Sequence, residues 1–176
     1  MAILGIHDAH DAGAAVVSGG SVIGAVNEER FTKLKNDVGF PHNSIKYLLN
    51  LASSDEIEKV AVAWIGGSAL FARMLPSLEK KRRKLWRKEL PKPSKLSMHM
   101  RNAIFRLVQN QKPRGAWKAL GTSIGGSLLS ARLRSASLDK KIVFVEHHLA
   151  HAASAYYASG FKEALVITLD GAGDGL

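Results

Sequence analysis

Cysteine is absent from the 176 residues, which excludes disulfides, zinc knuckles and thiol nucleophiles. Any bound metal must then be held by histidine and carboxylate. No apolar run approaches the roughly 20 residues needed to cross a bilayer. The opening Met1-Ala2-Ile3-Leu4-Gly5-Ile6 has no basic leader and meets His7 and Asp8 almost at once, so it does not read as a signal peptide. A soluble, cytoplasmic protein is expected. Acidic residues are also few: 15 Asp and Glu against 25 Lys and Arg leave a net charge of +10. Hydrophobic residues make up 46%, enough for one domain with a proper core.

The positive excess is local, concentrated between residues 80 and 118. Such an asymmetry suits an anionic partner such as nucleic acid, a membrane surface or a phosphorylated substrate. It equally suits a solvated helical hairpin inserted into the fold. The hairpin is favoured, because only Trp86, Phe105 and Trp117 interleave the cluster and no nucleic-acid motif is present. Residues 68–140 as a whole read as a basic helical insertion broken by Pro91-Lys92-Pro93. His99 lies within it without a histidine or acid four residues away, and so reads as a packing or surface residue.

Around that insertion the pattern is α/β. Residues 2–6 read as a buried strand, followed by the polar turn His7-Asp8-Ala9-His10-Asp11-Ala12-Gly13. Residues 14–17 and 21–26 are β-prone and are joined by the hairpin signal Gly19-Gly20. The small residues Ala12, Gly13 and Ala14 would let a phosphate approach the backbone, though a plain β-meander has the same pattern. Residues 27–41 read as a charged loop in which Arg30, Lys33 and Lys35 either meet an anionic ligand or are simply solvated. A helix follows Pro41, with Ile45, Leu48, Leu49 and Leu51 on one face, and residues 59–65 form the next strand.

The end of the chain carries the densest chemistry. Residues 141–145 read as a clean buried strand, 146–158 as an Ala-rich helix closed by Ser159-Gly160, and 164–169 as a second buried strand. His147 and His151 are four apart, so on a helix their rings share a face and can hold one ion. This β-α-β order puts Glu146 and His147 at the carboxyl end of one strand and Asp170 at the carboxyl end of the next. Ligand crevices in α/β sheets form at that edge. The turn Gly171-Ala172-Gly173-Asp174-Gly175 is suited to backbone N–H groups near a phosphate.

Four blocks occur in a fixed order: Gly5-Ile6 with His10-Asp11-Ala12; Glu28-Glu29-Arg30-Phe31-Thr32; His147-His148-Leu149-Ala150-His151-Ala152-Ala153-Ser154; and Asp170-Gly171-Ala172-Gly173-Asp174-Gly175. Together they resemble the amino-terminal part of the O-carbamoyltransferases that modify nodulation factors, antibiotics and other glycosides. The resemblance implies one lobe of an actin-like ATPase fold of the ribonuclease H-like type, with the second lobe and a YrdC-like activating domain lying elsewhere. In that family the YrdC-like domain makes carbamoyl-adenylate from carbamoyl phosphate and ATP. The actin-like domain passes the carbamoyl group to a hydroxyl of the acceptor beside a divalent metal, iron.

By the same resemblance His147, His151 and Asp170 match metal ligands, and His10 a histidine acting near the acceptor. Asp11 is expected to orient His10, while Gly13, Gly171, Gly173 and Asp174 are candidates for nucleotide contact. His148 points away from its neighbours' face and is not carried over. The length corresponds to roughly one lobe, so a truncated product or one piece of a split enzyme is expected, completed by a second chain in the latter case. Two other readings stand beside this one. One is a relative of the enzyme that makes threonylcarbamoyl-adenosine in tRNA, which shares the paired histidines. The other is a non-catalytic basic module that binds nucleic acid.

Overall fold

A computed structural model describes residues 1–63, 73–75, 77, 81, 84 and 116–169. Its centre is a five-stranded mixed sheet of order β3-β2-β1-β4-β5. β1 (Ala2–His7), β2 (Gly13–Ser18) and β3 (Ser21–Asn27) form an antiparallel meander. Gly19 and Gly20 turn β2 into β3 with φ of 58° and 80°. Two positive φ values in a two-residue loop match the right-handed strand twist and are adopted cheaply by glycine. The first three strands and their turn therefore follow the sequence expectation.

Residues 27–41 contain a short helix α1 (Glu29–Thr32) within what reads as loop. Helix α2 (His42–Leu51) crosses back to β4 (Ile57–Val62), which pairs parallel with β1. Helix α3 (Ala116–Ser135) then precedes β5 (Lys141–Phe144), which pairs parallel with β4. Helix α4 (His147–Ser159) ends at Gly160, whose φ of 75° supplies a left-handed cap.

One face of the sheet holds the core. Along β1, Ala2, Leu4 and Ile6 are buried while Ile3, Gly5 and His7, pointing the other way, are half-buried. Leu4, Val16, Val60 and Val62 pack with Ile45 and Leu48 of α2 and with Leu129 and Leu133 of α3. Each such side chain contributes about 1.5–3 kcal/mol by leaving water. Leu51, expected on the same face of α2, is instead 50% exposed at the helix end.

Two expectations fail at the far end of the chain. β5 is a half-exposed edge, with Val143 39% exposed, because nothing among the described residues pairs with its outer side. Residues 164–169 form no strand: they are irregular, and Leu165, Ile167 and Leu169 are 88%, 70% and 92% exposed. Alternating apolar residues announce a pleat but do not say which sheet receives it. Most of the 68–140 insertion, including most of its basic cluster and His99, falls outside the described residues.

Candidate functional site

β1, β4 and β5 run parallel, so their carboxyl ends meet at one edge of the sheet. His7 is the last residue of β1, and His147 opens α4 three positions after β5. Ala63 N donates to Ile6 O and Val145 N to Val62 O, carrying the ladder past the strand ends and fixing the backbone under both histidines.

The start of α4 is capped by Glu146, whose carboxylate accepts from the backbone N–H groups of His148 at 2.9 Å and Leu149 at 2.7 Å. Desolvation acts to raise its pKa, but those two bonds, with His148 and His147 nearby, outweigh it and hold the carboxyl below its ordinary value. One turn apart on the capped helix, His147 Nε2 and His151 Nε2 stand 3.1 Å from each other. A proton held between two nitrogens, or a single ion reached by both at the usual bond length of about 2.0–2.1 Å, fits that separation. The pair thus suits a metal as a donor set. Among the described residues no third His, Asp or Glu completes a metal-holding group. Asp170, Gly171, Gly173 and Asp174 lie outside the described residues.

His148 does not join the pair. Its Nδ1 lies 3.2 Å from Thr168 Oγ1, tying the exposed 164–169 run to α4 two residues before Asp170.

The turn after β1 carries the other candidate side chains. His10 is exposed, and its Nδ1 is 3.1 Å from Asp11 Oδ2. Asp11 has φ of 55° and also accepts from the Asn36 side-chain amide, so a left-handed kink is held from across the loop. Ala12 N donates to Asp37 O, and Gly39 N to Ala9 O. The turn is consequently fastened along its length. Gly13 is buried at the start of β2, where a Cβ would meet Asn27 Oδ1 at 2.9 Å and Val26 O at 3.0 Å. Close packing against β3 is reason enough for glycine there.

Three features took roles that the sequence reading did not assign them. Asp8 and Arg73 form a buried bidentate ion pair, Nε to Oδ2 at 2.7 Å and Nη2 to Oδ1 at 2.9 Å. Arg73 also lies 5.5 Å from the Phe144 ring centre and its carbonyl accepts from Arg132 at 2.7 Å, so the turn is clamped to β5 and α3. Glu28 is 5% exposed and caps α2, accepting from Asn43 N at 3.0 Å and Ser44 N at 2.8 Å. Within the Glu-Glu-Arg-Phe block, then, the first glutamate fastens a helix, while Arg30, Lys33 and Lys35 are exposed.

The third is His7. Its ring meets that of His10 edge-on at 5.6 Å between centroids. Burial, together with His10, keeps the His7 pKa below the ordinary histidine value; Asp8 opposes the shift and His147 adds to it. His7 and His10 are thereby brought into ring contact from β1 and its turn. The clue available in sequence was the placement of His7 at a strand end.

The family model for the carbamoyltransferase N-terminus matches residues 2–176. The chain belongs to the carbamoyltransferase family. This carbamoyltransferase domain is 31% identical over 165 residues to nodulation protein NolNO of Sinorhizobium fredii, covering 94% of the chain and 20% of that protein. It is 32% identical over 174 residues to an uncharacterised protein of Methanocaldococcus jannaschii, covering 99% of the chain and 23% of the relative. A further uncharacterised relative, from a Synechocystis strain, is 31% identical over 169 residues, 94% of the chain and 24% of that protein. The chain spans about a fifth to a quarter of the length of these curated relatives. No helix among the described residues is long and apolar enough to cross a membrane.

Proposed function

We propose that this carbamoyltransferase domain is one lobe of an actin-like fold, and that it transfers a carbamoyl group from carbamoyl-adenylate to a hydroxyl of a small-molecule or glycan acceptor. The 3-2-1-4-5 order, three antiparallel strands followed by two parallel ones, supports the ribonuclease H-like reading. The observation that carries the site is the His147–His151 pair, 3.1 Å apart at the carboxyl edge of the sheet. His147 and His151 would hold a divalent metal, Fe²⁺, together with Asp170. The metal when bound supplies Lewis-acid polarisation of a phosphate or carbonyl oxygen.

The chain's own residues supply orientation and proton transfer. Asp11 holds His10 through Nδ1, which leaves Nε2 to face an acceptor. His10 accepts the proton of the attacking hydroxyl as its oxygen bonds to the carbamoyl carbon. The bond from that carbon to the adenylate oxygen breaks, and its electron pair leaves with AMP. Carbamoyl phosphate and ATP supply the activated donor, made by a separate domain or chain. Gly13, Gly171, Gly173 and Asp174 belong to the nucleotide side in this reading.

Isotope-labelled carbamoyl phosphate, ATP and Fe²⁺ given to the full-length protein should label a hydroxyl acceptor. His10→Ala should lower that transfer about 10²–10⁴-fold. Metal analysis of the purified chain should show the ion lost on His151→Ala. Equal metal in both proteins would sink the site assignment.

A further inference from the structure

We infer that Asn36 is a positioning residue for His10: its side-chain amide holds the Asp11 carboxylate, which in turn fixes the nitrogen of His10 that carries the proton. The inference rests on the carbamoyl-transfer reading above and deepens it, giving a role to a segment that the reaction itself does not touch. The His10 and Asp11 side chains are 54% and 44% exposed, and an exposed pair of that kind is held weakly by its own contact. Asp11 Oδ2 faces His10 Nδ1 at 3.1 Å. An ionised carboxylate can only accept there, so the proton belongs on Nδ1 and the lone pair on Nε2. The second oxygen, Asp11 Oδ1, accepts from Asn36 Nδ2. Turning the carboxylate away from His10 therefore also breaks its bond to Asn36.

Asn36 is itself well fixed. Its N–H donates to Glu29 Oε2 at 2.8 Å, tying it to the first residue of α1. On its other side Asp37 O accepts from Ala12 N at 3.0 Å, Val38 bridges to His10, and Gly39 N donates to Ala9 O at 3.2 Å. Asn36 has φ of 52°, in the left-handed region that Asn and Asp tolerate better than other residues with side chains. Glycine would keep that backbone without the donor; asparagine supplies both. A line of contacts thus runs from Glu29 through Asn36 and Asp11 to His10. Within the Glu-Glu-Arg-Phe block, Glu28 secures α2 and Glu29 secures the loop that steadies the His10 turn.

Two variants distinguish a polar anchor from a merely ordered loop. Asn36→Gly keeps the left-handed backbone and removes the amide, while Asn36→Asp keeps the shape and sets a second carboxylate against Asp11. Imidazole nitrogen signals of the chain are recorded by NMR in mildly alkaline buffer, with His10 assigned by its loss in His10→Ala. The parent should carry the His10 proton on Nδ1, and both variants should shift it towards Nε2. Glu29→Ala should produce part of that shift, and Glu29→Gln, which keeps an acceptor for the Asn36 N–H, should resemble the parent. A tautomer unchanged in both Asn36 variants, or changed in the glycine variant alone, would overturn the role of Asn36, as would a parent ring protonated on Nε2. None of those results touches the carbamoyl-transfer reading, which label transfer by full-length His10→Ala decides. Full transfer in that variant would overturn the reading and the positioning role together.

Discussion

The two ends of the described chain are built on opposite terms. Residues 2–62 wrap a sheet whose core side chains Leu4, Ile45, Leu48, Ile57, Val60 and Val62 are fully buried. Helix α4 buries no residue, and the run after it leaves three large aliphatics in solvent. The first region owns its stability. The second carries the histidine pair and, among the described residues, is held by a helix cap and the His148–Thr168 contact. The candidate residues are thus divided between a firmly held turn, His7 to Asp11, and a lightly anchored helix start, His147 and His151. Ligand-binding elements are commonly drawn from such low-stability regions.

Substitutions should separate the two regions, beginning with the most damaging. Asp8→Ala strands the buried Arg73 guanidinium and should cost about 3–5 kcal/mol in urea unfolding. Leu48→Ala should cost about 2–5 kcal/mol, whereas Leu149→Ala on α4 should stay within about 0.5 kcal/mol. Similar losses at both leucines would erase the contrast. Glu28→Ala removes the acceptor for two backbone N–H groups at the start of α2, and about 1–3 kcal/mol should be lost.

Glu146→Ala should cost about 1 kcal/mol, seen as fraying of α4 by amide hydrogen exchange. The same carboxylate adds an acid dependence. Its folded pKa is lowered from 4.5, so its stabilising contribution is present above 4.5 and is lost as pH falls through the lower folded value. Protection of α4 amides, taken relative to their intrinsic exchange rates, should fall over that window in the parent chain and remain flat in Glu146→Ala.

Local signals in the sequence led to local structure. The alternation of β1, the Gly19-Gly20 turn, the apolar face of α2 around Ile45 and Leu48, and the Gly160 stop each lie within a few neighbouring residues. The spacing of His147 and His151 was equally legible, since one helical turn decides it. What escaped depended on distance along the chain. The partner of Asp8 is 65 residues away, and those of Glu28 are 15–16 away, so neither partner was legible from neighbouring residues. His7 read as part of a polar turn with two His-Asp pairs, and its place at the end of a parallel strand was the more useful sign. The 164–169 run showed the converse: its pattern was clear and its sheet was not.

That run also governs how a protein of this span behaves in the test tube. Leu165, Ile167 and Leu169 present an apolar comb to solvent. Next to it in sequence, Lys162 and Glu163 are charged, and such flanking charges act as gatekeepers against strand-to-strand stacking. Among the described residues nothing pairs with the outer side of β5 either. Concentrated samples should therefore self-associate through this run and the β5 edge, and Ile167→Lys should raise the soluble yield before it changes anything at the histidines.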